Sequence, residues 1–322
     1  MQAIVQSRYG SADVLALGEV DKPSVDDDHV LIEIRAAGVD PSVWHLMTGL
    51  PLVMRVMGFG FRSPKNPVRG RDLSGRVVAV GAKVTRLQPG DSVFGTADGS
   101  FVEFAVARED TLAPMPSNLS FEVAAAIPTS ACTALKALRD VGHVQPGQRV
   151  LIIGAGGGIG TFAVQLAKAF GAHVTGVCSG SKVELVRDLG ADAVIDYIQE
   201  DFVNSGPYDL ILDTAGNRPL SHLRRALSPK GTLVIIGGEG KGRWLGGIGR
   251  PLRALLLSPF VSQSLKGLVA FAGASDLQVL KELAEAGEVK PVVDRTYPLA
   301  EAPDAVRELE RGHTRGELVV TL

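Results

Sequence analysis

A glycine-rich stretch between an apolar strand and an amphipathic helix is the first feature of this chain that could do chemistry. It reads LIIGAGGGIGTFAVQLAKAF over residues 151–170, with the core Ala155-x-Gly157-x-x-Gly160. Gly157 would let the backbone approach a pyrophosphate, and Gly160 would let the helix pack closely on the strand. The helix N-terminus offers free N–H groups and a positive dipole end to phosphates. The stretch therefore predicts a dinucleotide site at Gly156, Gly157, Gly158, Ile159 and Gly160.

The end of the next predicted strand indicates which dinucleotide this is. NAD-preferring sites carry an acid about 20 residues after the glycines, where it binds the adenosine ribose. Here the strand HVTGV (173–177) is followed by Cys178 and Ser179. A carboxylate would repel a 2′-phosphate, whereas the hydroxyl of Ser179 and the ammonium of Lys182 would bind it. Lys182 taken alone is better interpreted as a solvated surface lysine, but the missing acid and Ser179 together favour NADPH.

Two kinds of region surround this motif. Short apolar strands alternate with helices over residues 149–237, which predicts a parallel sheet covered on both faces. The first 110 residues read as strands and turns, with residues 49–70 as a loop that contains a helical turn. The tail from residue 290 reads as strand, helix and strand, like the opening region. We therefore expect one domain that is interrupted by the nucleotide-binding fold.

Length, charge and cysteine content exclude several classes of protein. A chain of 322 residues suits two domains, and a net charge of −2 offers no basic footprint for nucleic acid. Two cysteines cannot form a four-thiolate metal site or a disulfide framework, and the N-terminus shows no signal peptide, so we expect a cytoplasmic protein. Arg250, Arg253 and Lys266 interrupt the apolar segment 243–271, so we expect no membrane span there. A lid, interdomain or subunit-contact helix is the better interpretation of that segment.

Longer stretches resemble the medium-chain dehydrogenases/reductases, and within them the zinc-independent quinone oxidoreductases. They include AAGVDPSVW, GRDLSGRVVAVGAKVTRLQPGDSVFG, IPTSACTALKAL, LGADAVIDY and GHTRGELVV, and the likeness covers nearly the whole chain. The resemblance implies an α/β fold, with a Rossmann doubly wound parallel sheet and a GroES-like β-rich catalytic domain that is split in sequence. We expect the catalytic domain at residues 1–122 and 263–322, and the NADP-binding domain at residues 123–262.

The same resemblance implies further contacts with NADPH. Tyr197 falls where relatives surround the adenosine 2′-phosphate together with Ser179 and Lys182. Other positions correspond to the nicotinamide end of the cofactor in relatives. Thr133 falls where relatives pack a threonine near the nicotinamide. Ile236, Gly237 and Gly238 fall on the loop that approaches the nicotinamide ribose and carboxamide in relatives. Phe271 falls where a backbone group of relatives reaches the carboxamide.

Departures from the zinc-dependent relatives predict a site without metal. Those relatives carry a catalytic cysteine, a Gly-His-Glu element and a third ligand, and the corresponding positions here are Asp40, Gly70-Arg71-Asp72 and Thr129. A zinc site needs three or four suitable nitrogen, sulfur or oxygen ligands, and two acids beside an arginine fit this poorly. We interpret Arg71 and Asp72 as a structural ion pair and expect no bound metal.

Without a metal, hydrogen-bond donors must stabilise the oxyanion that develops during hydride transfer. Ser42 and His45 follow the lost ligand position at the offsets where zinc alcohol dehydrogenases keep a hydroxyl and a histidine as a proton relay. Histidine suits proton delivery near neutral pH. We expect Ser42 and His45 to be catalytic, and a packed histidine in a loop is the alternative for His45.

Three hypotheses of function follow. The first is an NADPH-dependent reductase of quinones or α,β-unsaturated carbonyl compounds, which would act on a small-molecule substrate. The second is an NADPH-binding redox sensor or structural protein without relevant turnover, and the third is a zinc-type alcohol dehydrogenase. A pocket blocked by side chains of residues 44–61 would favour the second. The apolar segment 244–271 and the resemblance together predict a homodimer.

Overall fold

The computed structural model describes residues 1–237, 244 and 246–322, apart from the side chains of Met57 and Ile248. Its strands are β1 (Gln2–Val5), β2 (Ala16–Glu19), β3 (His29–Val39), β4 (Asp72–Val80), β5 (Ser92–Thr96), β6 (Phe104–Arg108), β7 (Leu112–Pro114), β8 (Arg149–Ile153), β9 (His173–Cys178), β10 (Ala193–Asp196), β11 (Tyr208–Asp213), β12 (Leu227–Ile235), β13 (Ser264–Gly267), β14 (Val293–Pro298) and β15 (Glu317–Thr321). Its helices are α1 (Pro41–Thr48), α2 (Leu52–Met54), α3 (Phe121–Ala125), α4 (Pro128–Lys136), α5 (Gly158–Ala169), α6 (Val183–Asp188), α7 (Leu220–Ala226), α8 (Gly249–Leu257), α9 (Ala274–Glu285) and α10 (Ala302–Arg311).

The central unit comprises Thr133–Ala270 and Glu288–Lys290. In the part of the chain that is described, its sheet holds six strands in the order β10-β9-β8-β11-β12-β13, and every pairing is parallel. The strand order reverses between β8 and β11, which is the arrangement of a Rossmann fold. β8 reads RVLII and is buried after its first residue, as strands covered on both faces are. The predicted doubly wound parallel sheet is confirmed.

The split unit comprises Met1–Cys132, Phe271–Gly287 and Pro291–Leu322. Its large sheet has the order β14-β15-β3-β4-β5-β7, and β6 pairs with β3. β15, near the end of the chain, pairs antiparallel with β3, near its beginning. This pairing closes the unit around a core that includes Ile32, Val39, Leu73, Phe101 and Val320. The predicted β-rich domain interrupted in sequence is therefore present.

The bounds of the units lie later in the chain than residues 122 and 262, where the sequence predicts them. α3 stays with the split unit, where the hydroxyl of Ser74 on β4 donates to the carbonyl of Phe121 over 2.6 Å. β13 stays with the central unit because it adds a sixth strand beside β12. The contacts of two short elements, α3 and β13, thus determine where each unit ends.

The apolar segment 244–271 contains α8 and β13. Ala254 of α8 is buried, whereas Leu252, Leu255, Leu256 and the nearby Phe260 are exposed. No helix among the described residues is both long and apolar enough to cross a membrane.

Candidate functional site

The glycine loop joins β8 to α5 in a shape that its backbone hydrogen bonds define. The N–H groups of Gly154 and Ala155 both donate to the carbonyl of Val177 on β9, over 3.0 Å. Gly154 has φ +86°, and a Cβ there would overlap the hydroxyl of Thr214. α5 begins immediately afterwards, with Gly157 as its N-cap. The first N–H groups of a 12-residue helix therefore follow the loop directly.

Two glycines of this loop have different neighbours. A Cβ at Gly160 would overlap the carbonyl of Gly154 and lie 2.7 Å from the Cα of Ala155, so packing of α5 on the loop requires glycine there. A Cβ at Gly157 would meet only the carbonyl of Gly154, at 3.5 Å. The missing side chain of Gly157 therefore leaves open space at the N-terminus of α5. This is the kind of cradle in which a pyrophosphate binds.

The adenosine-side candidates gather around the end of β9. The side chain of Lys182 lies against the glycine loop, because a Cβ at Gly156 would be 2.8 Å from its Cδ. The hydroxyl of Ser179 is 3.3 Å from that of Ser181. Tyr197 follows β10, its N–H donates to the carbonyl of Cys178 over 3.2 Å, and its side chain is 46% exposed. The structure therefore brings Ser179, Lys182 and Tyr197 to one edge of the sheet, beside the glycines.

Sequence reasoning missed two polar side chains in this neighbourhood. Ser181 is exposed beside Ser179. The guanidinium of Arg218 lies 5.9 Å from the ring centroid of Tyr197. Ser181 thus adds a second hydroxyl beside Ser179, and Arg218 adds a cation near Tyr197. The sequence GSK at residues 180–182 could have indicated Ser181. No pattern in the sequence around position 218 indicated Arg218.

The predicted nicotinamide-side residues divide between the two units. The N–H groups of Ile236 and Gly237 donate to the carbonyl of Asp213 over 3.0 and 3.1 Å, and a Cβ at Gly237 would overlap the carbonyl of Thr214. Close approach of the chain to the end of β11 therefore requires glycine at position 237. Thr133 is buried at the start of the central unit, and Phe271 is an exposed residue of the split unit. Gly238 lies outside the described residues.

Asp213 ends β11 as a fully buried carboxylate with two partners. Its Oδ1 accepts from the N–H of Gly216 over 2.9 Å, and its Oδ2 accepts from Nη2 of Arg250 over 2.7 Å. Arg250 also donates to the carbonyl of Arg218 over 2.6 Å. The Asp213–Arg250 pair thus ties α8 to the carboxyl edge of the sheet. An acid at the end of the buried run YDLILD was the only sequence signal for it.

The predicted catalytic residues lie on α1 of the split unit. Asp40 caps this helix, and its Oδ1 accepts from the N–H of Ser42 over 2.6 Å. The hydroxyl of Ser42 is buried and has no hydrogen-bond partner among the described residues. Nδ1 of His45 lies 2.7 Å from the carbonyl of Leu50. Because a carbonyl can only accept, Nδ1 carries the proton and Nε2 is the acceptor in the neutral imidazole.

A cavity of about 510 Å³, here named the His45 cavity, opens within the split unit. Ser42 is not among the described residues that line it, so the structure brings His45 but not Ser42 to this space. The walls combine residues from three stretches of the chain, and they include Tyr9, His45, Met54, Phe59, Lys65, Arg69, Gly70, Asp98 and Gly99.

Tyr9 and Arg55 shape the loop that covers one side of the His45 cavity. The hydroxyl of Tyr9 donates to the carbonyl of Gly60 over 2.7 Å. Arg55 donates to the carbonyls of Gly49 and Thr48, each over 2.9 Å, and its guanidinium carbon lies 4.1 Å from the ring centroid of Tyr9. These contacts hold residues 49–60 in place as one wall of the His45 cavity. The sequence predicted this stretch as a loop with a helical turn but gave no sign of the role of Tyr9.

Three buried carboxyl groups, here named the acid cluster, meet where neighbouring strands begin or end. Asp40 follows β3, Asp72 begins β4 and Glu317 begins β15. Val39 pairs with Leu318, so Asp40 and Glu317 lie side by side, and a Cβ at Gly38 would be 3.6 Å from Oδ2 of Asp72. Burial raises the pKa of Asp40, and it raises that of Glu317 to about 8. Burial and then the neighbouring Asp40 raise the pKa of Asp72 well above its usual value.

The predicted ion pair between Arg71 and Asp72 is wrong. Asp72 instead accepts from the N–H and the hydroxyl of Thr129, over 2.8 and 2.5 Å, and no ion pair joins it to Arg71 in the described part of the chain. Neighbouring residues of an extended chain point to opposite sides, so Arg71 turns away from Asp72. Its guanidinium lies 5.8 Å from the ring centroid of Phe271, and its charge partly opposes the rise in the pKa of Asp40.

The metal prediction concerns the same residues. Over the described ranges, no group of three or more His, Cys, Asp or Glu side chains is arranged to hold a metal ion. Carboxyl groups must be deprotonated to bind zinc, and the raised pKa values of Asp40, Asp72 and Glu317 oppose this. These residues therefore fit zinc poorly, and the absence of zinc stays a prediction.

Two family descriptions match this chain. The alcohol dehydrogenase GroES-like domain matches residues 26–117, and the zinc-binding dehydrogenase description matches residues 189–320. The first match lies within the split unit. The second runs from the central unit into the closing part of the split unit.

Proteins and solved structures similar to the whole chain agree with these matches. A mitochondrial NAD(P)H oxidoreductase of Mus musculus (RTN4IP1) is 34% identical over 361 aligned residues, which cover 100% of this chain and 89% of that protein. A chloroplastic quinone-oxidoreductase homolog of Spinacia oleracea is 31% identical over 337 residues, which cover 99% of this chain and 98% of that one. The quinone oxidoreductase structure from Coxiella burnetii has a TM-score of 0.85 at 28% identity and covers 100% of this chain and 99% of its own. The chain therefore belongs to the medium-chain dehydrogenase/reductase superfamily, in the branch of the quinone oxidoreductases.

Proposed function

We propose that this protein is an NADPH-dependent oxidoreductase that reduces quinones or α,β-unsaturated carbonyl compounds without zinc. That it is an oxidoreductase using a nicotinamide cofactor rests on its family and on the names of its relatives. The choice of NADPH rests on one observation. Lys182 lies against the glycine loop and Ser179 directly follows β9, where a site for NADH would carry an acid.

The residues of the central unit fit a dinucleotide with a 2′-phosphate. The open space at Gly157 and the N-terminus of α5 suit the pyrophosphate. Lys182, Ser179 and the nearby Arg218 offer charge and hydrogen bonds to a further phosphate. When bound, the cofactor supplies a hydride to the acceptor.

The acceptor is proposed to be an activated alkene or a quinone. A plain ketone would need stronger polarisation of its carbonyl than a site without metal gives. The 32% identical alkenal/one oxidoreductase of Arabidopsis thaliana is named for acceptors of this class. The open His45 cavity supports turnover over the alternative of a redox sensor, because residues 44–61 form its wall without filling it.

His45 is proposed to supply the proton that completes the reduction. As the acceptor gains a hydride at carbon, negative charge develops on its oxygen. Nδ1 of His45 is held by the carbonyl of Leu50, so the other ring nitrogen, Nε2, carries the exchangeable proton in the imidazolium. Nε2 would donate that proton to the acceptor and return to the neutral form. Ser42 keeps the geometry of α1 through its N–H bond to Asp40 and is assigned no proton transfer.

The choice of cofactor is tested by the variant Lys182→Ala. Loss of a charge-assisted hydrogen bond should weaken NADPH binding by about 1–3 kcal/mol and leave NADH binding nearly unchanged. Fluorescence titration of the two cofactors measures this difference. Lys230→Ala, which removes an exposed lysine of β12, is the matched control and should change neither affinity. Equal weakening of both cofactors by Lys182→Ala would overturn the assignment to NADPH.

We also propose that the protein is a homodimer in the cytoplasm. Leu252, Leu255 and Leu256 of α8, with Phe260, expose apolar surface that a partner copy would cover. Light scattering should give about twice the chain mass of 33.8 kDa. A mass of 33.8 kDa at micromolar concentration would contradict the dimer.

A further inference from the structure

A buried guanidinium lines the His45 cavity and has no counter-ion within the described residues. Arg69 is only 3% exposed, and its Nη2 donates to the carbonyl of Asn66. Its Nε is buried with no hydrogen-bond partner among the described residues. Burial lowers its pKa to about 10, so the group is still a cation at neutral pH. A buried cation is costly unless it is paired and hydrogen-bonded, so this arrangement is incomplete as it stands.

The backbone holds Arg69 in this position. Its N–H donates to the carbonyl of Ile4 over 3.1 Å, and its own carbonyl accepts from the N–H of Phe101 over 2.8 Å. The next residue, Gly70, has φ +90°, and a Cβ there would overlap the hydroxyl of Ser100. These backbone hydrogen bonds on both sides of Arg69 hold its Cα at the wall of the cavity.

The other charges of the cavity do not neutralise Arg69. Asp98 acts on Arg69 through its charge, but it is exposed and forms no ion pair with Arg69 in the described part of the chain. Lys65, also exposed, adds a second cation to the lining. Among the described residues of the lining, Arg69 and Lys65 are thus basic and Asp98 is acidic, apart from His45. The cavity favours a ligand that brings negative charge of its own.

We propose that Arg69 is a specificity residue and that the preferred acceptor carries a carboxylate in addition to its activated double bond. This inference rests on the proposed function, because it names the class of acceptor for that reaction. A planar guanidinium recognises a carboxylate by paired N–H donors, which a neutral carbonyl cannot match. The neutral part of the acceptor would pack against apolar residues of the same lining, such as Met54 and Phe59.

The test compares two acceptors that differ only in charge, 4-oxo-2-pentenoate and its primary amide. Initial rates are measured with the cofactor present for the wild type and for Arg69→Met, which keeps the length of the side chain without its charge. The wild type should show a KM for the acid at least about ten-fold lower than for the amide. Arg69→Met should lose that preference, because the KM for the acid should rise to about that for the amide. Arg62→Met, which removes an exposed arginine outside the lining, should behave as the wild type.

The possible failures are distinguishable. Equal KM values for acid and amide in the wild type would overturn the role of Arg69 and leave the proposed function standing. A preference for the acid that persists in Arg69→Met would also overturn it, since another group would then bind the carboxylate. If Arg69→Met does not fold, competition in the wild type decides. Saturated 4-oxopentanoate should inhibit amide reduction at least about ten-fold better than 4-oxopentanamide, and equal inhibition would overturn the inference. No turnover of any quinone or enone would overturn the proposed function itself.

Discussion

Both units contain buried carboxyls, Asp213 in the central unit and the three of the acid cluster in the split unit, and these carboxyls differ in their partners. Asp213 of the central unit accepts from the N–H of Gly216 and pairs with Arg250. In the acid cluster of the split unit, Oδ2 of Asp40 and Oε1 of Glu317 lack hydrogen-bond partners within the described ranges. Asp40 also raises the pKa of both other members of that cluster. Burial penalises charge at both places, so a carboxyl with a counter-ion and carboxyls without one should respond differently to substitution.

The largest expected effect comes from removing the partner in the central unit. Arg250→Met leaves the fully buried Asp213 without its counter-ion. Breaking a buried pair in this way costs about 3–5 kcal/mol, so the free energy of unfolding should fall by about that amount. Urea denaturation at neutral pH measures it. Arg253→Met on the same helix removes an exposed arginine and should cost less than about 0.5 kcal/mol. A loss below about 1 kcal/mol in Arg250→Met would mean that Asp213 needs no counter-ion.

A smaller effect, dependent on pH, is expected in the acid cluster. Glu317 has a pKa of about 8 in the fold against an ordinary value of 4.5, so the folded chain binds one more proton between these values. Its contribution to stability is therefore complete below about pH 4.5 and is lost as the pH rises through about 8. The change in the free energy of unfolding caused by Glu317→Gln should be more stabilising at pH 9 than at pH 5, by about 2–4 kcal/mol.

Thermal or urea unfolding at the two pH values measures this difference. Glu19→Gln replaces an exposed acid of β2 and should show no such dependence on pH. If Glu317→Gln shifts stability equally at pH 5 and pH 9, the side chain is ionised in the fold and the contrast with Asp213 disappears.

The smallest expected effect is the difference between replacing aspartate by asparagine at position 40 and at position 213. Asp40→Asn replaces a carboxyl whose pKa is raised by burial, and asparagine can still accept the N–H of Ser42 as an N-cap. It should cost less than about 1 kcal/mol at pH 6. Asp213→Asn removes the charge that pairs with Arg250 and should cost about 1–3 kcal/mol more. Equal costs in urea denaturation would show that the pairing of Asp213 with Arg250 makes no difference to the effect of the substitution.

The sequence by itself determined the nucleotide-binding half of this protein. The glycine loop, the helix that begins at Gly158 and the residues after β9 lie within about 30 positions of one another, and their geometry depends mostly on neighbouring residues. The requirement for glycine at position 160 comes from the packing of α5 on the loop that precedes it. Such local patterns can be read directly, and so could the alternation of strands and helices that builds the parallel sheet.

Only the tertiary structure decided what surrounds the predicted catalytic residues. Glu317 joins Asp40 because β15 pairs with β3 across most of the length of the chain. Arg69 and Tyr9 reach the lining of the His45 cavity from stretches that showed no periodic pattern or motif. Ser42 was chosen by its spacing, yet it is not among the described residues of that lining. Contacts between distant segments depend on strand pairing and loop packing, which no local pattern of residues encodes.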